Sequence, residues 1–140
     1  MSETFTRFSD ATWKAFRAET RAGPVQMLNL IRLYDRADYP DGRIASGREA
    51  YVEYSRLSAE PAAAVGMRIV WRGAFERTMV GPEHEHWHIA FVAEYPDIAA
   101  FVSLMRDPRY REAMTHRAAG VADSRLLSLA PADLGTTFIG

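Results

Sequence analysis

The chain of 140 residues contains no cysteine. This absence excludes a disulfide framework, a catalytic thiolate and a cysteine-ligated metal, and it is compatible with a reducing compartment. Charge of one sign is not in excess either, because 17 Lys and Arg residues oppose 18 Asp and Glu residues. The resulting net charge of −1 provides no broad attraction to nucleic acid or to an anionic membrane, so we expect neither as a partner.

Long apolar runs and targeting signals are absent as well. No run approaches the roughly 18 apolar residues of a membrane span, and residues 1–10 lack the basic-then-apolar order of a secretory signal. We therefore predict a soluble, cytoplasmic protein. The chain also lacks a Ser-His-Asp order, a glycine-rich phosphate loop and a clear paired-carboxylate motif. Hydrolase, nucleotide-binding and glycosidase functions have no support in the sequence, and we expect no cofactor.

The composition that remains is typical of one folded domain. Hydrophobic residues make up 48% of the chain, and a chain of this length buries about two-thirds of its unfolded surface. A core without metal or disulfide support is therefore expected. We divide this single domain into an N-terminal helical extension (residues 1–23), a core (24–130) and a C-terminal tail (131–140).

Hydrophobic periodicity predicts the elements of this domain. The segment 25–34 is apolar at odd and even positions alike, which is typical of a strand covered on both faces. Pro61 is expected to bend or end its helix. The loop 35–47 is long enough to be functional, and it is a candidate lid. The expected elements are a helix at 10–21, a strand at 25–34, a helix at 48–59, strands at 67–75 and 87–95, helices that begin after Asp97 and at Pro108, and a strand at 124–129.

After the leading helix, the order strand, helix, strand, strand, helix pair, strand is typical of an α+β, ferredoxin-like split βαβ fold with a four-stranded antiparallel sheet. Its helices cover one face of the sheet, yet neither face of the first strand is polar. A second chain is the economical cover, so we predict a homodimer packed sheet against sheet. The tail ends with the apolar residues Phe138 and Ile139, and it either crosses that interface or packs on its own subunit.

Several motifs between residues 24 and 130 are specific in combination. They are Pro24-Val25-Gln26-Met27-Leu28-Asn29-Leu30, Tyr51-Val52-Glu53-Tyr54, Gly66 through Gly73, Tyr95-Pro96-Asp97 with Phe101, Asp107-Pro108-Arg109-Tyr110, His116-Arg117 and Ala122-Asp123-Ser124-Arg125-Leu126. Together they resemble the uncharacterised family called domain of unknown function 1330. The resemblance implies a dimeric α/β barrel, in a superfamily that includes small cofactor-independent monooxygenases, isomerases and decyclising enzymes. The leading helix lies outside this match, and a His-rich segment at 84–88 is not associated with the family.

His116 and Arg117 form the pair that we predict to be catalytic. Histidine exchanges a proton near neutral pH, and the planar fork of arginine holds a carboxylate or an enolate in a fixed orientation. The structural alternative is that cations in the last turn of a helix are favoured by the helix dipole.

Five further residues are candidates for substrate binding, and each has a structural alternative. Asn29 is the polar member of an apolar row, so its amide either faces a ligand or ties down backbone. Tyr54 is either an orienting hydroxyl or core with a satisfied hydroxyl. Trp71 and Trp87 either form walls of an apolar pocket or belong to the core or dimer interface. Arg125 either contacts an anion or pairs with the acidic residue two positions earlier.

Three histidines alternate with other residues in the segment 84–88. Residues two apart on a strand share a face at a spacing of about 6.7 Å, so His86 and His88 have the spacing to ligate Zn²⁺ or Fe²⁺. A polar turn next to a hairpin is the alternative that we favour, so we assign no metal ligand. The candidates for a third ligand are Glu76, Glu94 and His116.

These residues leave three functions open. The first is a small enzyme that acts on an organic acid, ketone or phenol, with His116 as acid or base, Arg117 as anion clamp, and Asn29 and Tyr54 as orienting groups. The second is a non-catalytic protein that binds a metabolite in the same pocket. The third is a metal-dependent enzyme that uses the histidines of segment 84–88.

Overall fold

Residues 3–140 of the chain are described by a computed structural model. They form four helices and four strands, which follow one another in the order that the periodicity predicts. The elements are α1 (Asp10–Ala18), β1 (Val25–Leu33), α2 (Gly47–Ala64), β2 (Arg68–Gly73), β3 (Ile89–Tyr95), α3 (Ile98–Arg106), α4 (Pro108–Gly120) and β4 (Val121–Leu129).

The four strands form one antiparallel sheet in the order β2-β3-β1-β4. Strands β1 and β3 occupy the centre, and β1 aligns Asn29 with Phe91 on one side and with Leu126 on the other. Strands that are consecutive in sequence are therefore separated in the sheet wherever a helix connects them. This topology is the ferredoxin-like, α+β arrangement, which confirms the predicted fold class.

The two faces of the sheet differ in what covers them. Val25 and Met27 pack with Phe101 and Leu104 in one apolar cluster on the helical side of the sheet. Ile31 is buried in a second apolar cluster on the same side. No helix packs on the other face within residues 3–140, although this face carries a row of large apolar side chains. We call it the open face, and its apolar side chains are Leu28, Leu30, Trp71, Val92, Leu127 and Leu129.

Side-chain caps determine where the helices begin. Ser46 and Glu49 form a capping box at α2, in which the Ser46 hydroxyl accepts from the Glu49 amide at 2.9 Å and the Glu49 carboxylate accepts from the Ser46 amide at 2.8 Å. Asp97 accepts from the amide of Ala100 and starts α3. Asp107 caps α4, as expected from the proline that follows it.

Helix α2 is longer than predicted, because it continues through Pro61 to Ala64. A proline inside a helix removes one backbone hydrogen bond, which predicted an earlier end. Here Pro61 is fully buried and Ala62 packs in the main apolar cluster, so burial of the last turn offsets that loss.

Strand β3 is shorter than predicted and begins at Ile89. His88 is the reason. Its Nδ1 atom accepts a hydrogen bond from the Leu33 amide at 2.9 Å, and the His88 backbone amide donates to the Ile31 carbonyl at 2.7 Å. The imidazole thus takes the position of a backbone carbonyl, and regular pairing ends there. The predicted strand at 87–95 is therefore wrong at residues 87 and 88, which lie outside β3.

The loop that joins β1 to α2 is tied to the body of the protein. The Tyr34 amide donates to the Gly120 carbonyl at 2.9 Å, and the Asp38 amide donates to the Ala119 carbonyl at 2.8 Å. Ala37 is buried against Ala50 and Ala119. These contacts fix both the entry and the middle of the loop on α2 and α4.

Residues 5–9, which we call the N-terminal strap, follow the outer edge of β4. The Phe5 amide donates to the Asp123 carboxylate at 2.9 Å, and the Ser124 amide donates to the Phe5 carbonyl at 2.8 Å. Helix α1 then packs Trp13 and Phe16 against Phe101. The extension is therefore part of the same packed unit as the helical layer.

The C-terminal tail projects from the body. Leu134, Phe138 and Ile139 are fully exposed, so the tail does not pack on its own subunit. None of the helices within residues 3–140 combines the length and the apolar character that crossing a bilayer requires.

Candidate functional site

Two tyrosine hydroxyls meet between the sheet and helices α2 and α4. The Tyr54 and Tyr110 Oη atoms lie 2.7 Å apart, and either can be the donor. The two rings meet edge to face, and Tyr51 lies against Tyr54 with ring centroids 5.2 Å apart. We call these three tyrosines, together with Arg117, the tyrosine site.

Burial keeps the phenols of Tyr51 and Tyr110 protonated. Burial is the main cause that raises the pKa of Tyr51 and Tyr110 well above the ordinary value. The charge of Arg117, which lies on the same face of α4 as Tyr110, opposes that rise at both phenols. The site therefore offers hydroxyl donors beside one cation.

Asn29 lies on the helical side of the sheet, opposite Phe91 on β3. Phe91 and Tyr54 both pack where the two apolar clusters of the core meet. The Asn29 amide donates to the carbonyl of Met27 at 3.0 Å. This bond is the contact with backbone that the sequence offered as the alternative to ligand binding. It orients the Asn29 amide on the side of the sheet that carries the tyrosine site.

His116 and Arg117 diverge, because consecutive helical side chains leave the axis about 100° apart. The His116 Nδ1 atom lies 2.6 Å from the hydroxyl of Tyr39, and the two rings meet edge to face. Arg117 instead donates to the carbonyl of Thr6 at 3.1 Å. The two residues therefore contact different parts of the chain, the β1–α2 loop and the N-terminal strap.

Tyr39 is itself held in place from its other side. The guanidinium of Arg43 stacks over its ring at 4.3 Å from the centroid, and Arg43 makes a two-pronged ion pair with Asp41. Burial, followed by the charges of Glu53 and Asp41, raises the pKa of Tyr39, while Arg43 lowers it. The phenol is protonated at neutral pH.

Trp87 and Arg125 meet at a separate corner of the molecule. The Arg125 guanidinium lies over the buried ring of Trp87, at 5.2 Å, and over Phe5 at 5.1 Å. It pairs with Asp123 at 2.9 Å and with Glu85 at 3.7 Å. The ion-pair alternative for Arg125 is thus present in the structure.

Trp71 lies on the open face of the sheet and is 51% exposed. It does not meet Trp87 or the tyrosine site. Its indole ring lies over Gly73, where an added Cβ would come within 2.7 Å of the ring, so glycine is needed at that position. Trp71 and Trp87 therefore do not form the walls of one pocket.

The His-rich segment does not gather a metal site. The rings of His86 and His88 lie 5.0 Å apart, and the Nδ1 atom of His88 is engaged by the Leu33 amide. Within residues 3–140, no group of three histidine, aspartate or glutamate side chains has the geometry to hold a metal ion. The proposed third ligands therefore do not join the pair.

Concave surface is found on the outer side of α3. Two open grooves of about 530 and 560 Å³ share Ala99, Val102 and Arg106. Arg17 and Arg21 line one end of the first groove. None of the seven predicted site residues contributes to either groove.

Sequence reasoning missed Tyr39 and Tyr110 as partners of the predicted residues. Tyr110 carried a usable signal, because it lies seven positions before Arg117 and therefore on the same face of α4. Tyr39 carried no such signal, since its position depends on how an irregular loop folds back on the helices.

The arrangement can now be compared with known proteins. A family model described as Domain of unknown function (DUF1330) matches residues 45–129, more than half of the chain. The chain belongs to this family. The match confirms the resemblance seen in the sequence, although it begins just before α2 and leaves β1, with Asn29, outside. A comparison with curated proteins finds no match for this DUF1330 chain.

Two solved structures are similar over almost the whole chain. The methylated RPA0582 protein is 48% identical, with a TM-score of 0.93, over 95% of this chain and 98% of that one. The RPA0582 protein of unknown function from Rhodopseudomonas palustris is 46% identical, with a TM-score of 0.91, over 94% of this chain and 100% of that one. Both include the N-terminal region that the family model omits.

A more distant likeness supports the fold alone. SnoaB, a cofactor-independent oxygenase from Streptomyces nogalater, is 15% identical with a TM-score of 0.53, over 83% of this chain and 100% of that one.

Proposed function

We propose that this DUF1330 protein is a homodimeric, cofactor-independent enzyme that acts on a small organic acid or ketone at the tyrosine site. The observation that carries the proposal is the pair of hydroxyls of Tyr54 and Tyr110, 2.7 Å apart, beside the charge of Arg117. Hydroxyl donors next to one cation are suited to an anionic substrate whose charge shifts to a neighbouring oxygen during reaction.

The roles within this proposal follow from chemistry and position. Arg117 binds the carboxylate or enolate, because a guanidinium offers two parallel donors to such a group. Tyr54 and Asn29 orient the substrate. His116 lies beside Tyr39 rather than in the tyrosine site, and its role in proton exchange is the part of the proposal that the His116→Ala variant tests. The oxygenase from Streptomyces nogalater supports the choice of class, since it shows that this fold accommodates cofactor-independent chemistry.

Trp71, Trp87 and Arg125 have more distant roles in the proposal. Trp71 contributes to the contact between subunits through the open face. Trp87 and Arg125 shape the corner beside the N-terminal strap. The strap also contains the carbonyl oxygen that accepts a hydrogen bond from Arg117. The cytoplasmic location remains part of the proposal.

The first test is to identify a substrate and then remove His116. Untagged protein is examined by native mass spectrometry for a bound organic molecule, and turnover of small keto acids, hydroxy acids, ketones and phenols is followed by NMR in aerated buffer. We expect His116→Ala to lose turnover by 100-fold or more, the typical contribution of a positioned acid or base. Its melting temperature should change by only a few degrees, because one half-buried hydrogen bond contributes about 1 kcal/mol.

A matched control makes this result specific. Arg111→Ala removes a charge from the exposed side of the same helix, and it should retain wild-type turnover. Unfolding of His116→Ala under the assay conditions would assign the residue a structural role instead. Two other outcomes would support the alternative functions. A ligand recovered unchanged would indicate a binding protein, and one metal ion per chain would indicate a metal site in the histidine segment 84–88.

A further inference from the structure

The imidazole of His116 has two chemically distinct nitrogens, and only one is engaged within residues 3–140. Nδ1 faces the Tyr39 hydroxyl at 2.6 Å, whereas no protein atom in this range is hydrogen-bonded to Nε2. His116 is half-buried, so Nε2 is the nitrogen through which the ring reaches a ligand.

The Tyr39 hydroxyl favours one of the two neutral tautomers of His116. Among the described residues its only hydrogen-bonding partner is His116 Nδ1. The hydroxyl donates to Nδ1 when that nitrogen is unprotonated and accepts from it when it is protonated; the first arrangement also uses the phenol proton, which otherwise turns to water. Neutral His116 then carries its own proton on Nε2.

Several charged groups surround the pair. Asp41 and Arg43 flank Tyr39 from the loop, and Glu53 approaches both Tyr39 and His116 from α2. Glu53 is itself paired with Arg56. When His116 gains a second proton, the Tyr39 oxygen becomes the acceptor for Nδ1, and Nε2 still carries a proton. The outward nitrogen is thus a donor in both charge states.

We propose that Tyr39 is a positioning residue that holds His116 with its proton on Nε2, so that His116 acts as a hydrogen-bond donor to a carbonyl or carboxylate oxygen rather than as a base. This inference rests on the proposed function for the role of His116 and narrows that role from acid or base to hydrogen-bond donor. It also gives the β1–α2 loop a function, the positioning of His116, that does not require the loop to close over a ligand.

The test uses the full chain with isotope-labelled histidine and needs no substrate. Long-range proton–nitrogen NMR spectra at about pH 8, where histidine is largely neutral, distinguish a protonated from an unprotonated ring nitrogen. We expect Nε2 of His116 to be protonated and Nδ1 to carry the shift of an unprotonated nitrogen that accepts a hydrogen bond. In Tyr39→Phe, the Nδ1 signal should move to the position of a nitrogen without a partner, and the second tautomer should become visible.

Tyr34→Phe is the matched control, because Tyr34 is exposed at the start of the same loop and its hydroxyl has no hydrogen bond within residues 3–140. Its His116 signals should equal those of the wild type. A proton on Nδ1 in the wild type, or an unchanged Nδ1 signal in folded Tyr39→Phe, overturns the inference. The expected spectra combined with full turnover in His116→Ala would reject the proposed function while leaving the positioning by Tyr39 intact.

Discussion

The hydroxyls of Tyr54 and Tyr110 depend on each other because they share one hydrogen bond. Tyr54→Phe leaves the hydroxyl of buried Tyr110 without its partner, which costs about 1–3 kcal/mol in the free energy of unfolding. Tyr110→Phe should cost less, since the half-buried Tyr54 hydroxyl can turn to water. Urea denaturation of the two single variants and the double variant measures the coupling, and we expect about 1 kcal/mol. Additive effects within about 0.4 kcal/mol would show that the bond contributes little.

Asp123 makes the stability of the protein dependent on pH. Burial alone would raise the pKa of this carboxyl, but hydrogen bonds from the Phe5 amide and the Arg125 guanidinium outweigh it and lower the pKa. A lowered pKa in the folded state gives stability that is present above the unfolded pKa of about 3.9 and is lost as the pH falls through the folded value.

Asp123→Asn should therefore unfold more easily than the wild type at neutral pH, by about 1–2 kcal/mol. The difference should be smaller at about pH 3 than at neutral pH, because stability from the charged carboxyl is lost progressively below the unfolded pKa of about 3.9. Urea denaturation at both pH values measures this change. Asp133→Asn, in the exposed tail, is the control and should match the wild type at both. A difference that is the same at both pH values would mean that charge is not what stabilises this corner.

Helices α2 and α4 approach closely, and a glycine makes the approach possible. A Cβ added to Gly120 would lie 2.7 Å from the Gly47 carbonyl and 3.1 Å from the Ala50 Cβ. Helix propensity alone favours Gly120→Ala by about 1 kcal/mol. We expect the clash with backbone to prevail, so that the variant loses about 1–3 kcal/mol of stability by thermal or urea denaturation. Thr115→Ala, on the exposed face of α4, should be neutral or slightly stabilising. Equal stability of Gly120→Ala and the wild type would show that the helices can separate at little cost.

The elements themselves were largely predictable, because their signals are local. The alternation along β1 and the caps at Asp97 and Asp107 depend on residues within one or two turns, and the structure confirms them. The errors come from tertiary contacts. Burial of Pro61 extends α2, and the imidazole of His88 delays the start of β3 to Ile89.

The candidate site was predictable only in part. Tyr54 and Arg117 lie in the same site, and Asn29 lies on the same side of the sheet, because strand and helix periodicity determine which face a residue occupies. His116 was expected to act together with Arg117, yet adjacent helical residues point in different directions. Its partner Tyr39 lies 77 positions away along the chain, and no local pattern connects the two.

At the scale of the whole molecule, the open face of the sheet predicts the oligomeric state. Leu127 is 45% exposed and Trp71 is 51% exposed on this face, and a second copy would bury both. We expect the wild type to sediment as a dimer, and Leu127→Lys and Trp71→Lys to shift the population towards monomer by at least 10-fold in dissociation constant. Val52→Lys, on the outer side of α2 where Val52 is 61% exposed, is the control and should remain dimeric. A monomeric wild type, or lysine variants that dimerise as tightly as the control, would rule out this face as the interface.

The N-terminal strap also has a consequence for the order of folding. Phe5 and Asp123, which are joined by a hydrogen bond, are 118 positions apart. At the usual rate of synthesis of about 5–20 residues per second, Phe5 is synthesised roughly 6–24 s before Asp123. The N-terminal strap is made first, but it can pair with the edge of β4 only after almost the whole chain has been synthesised.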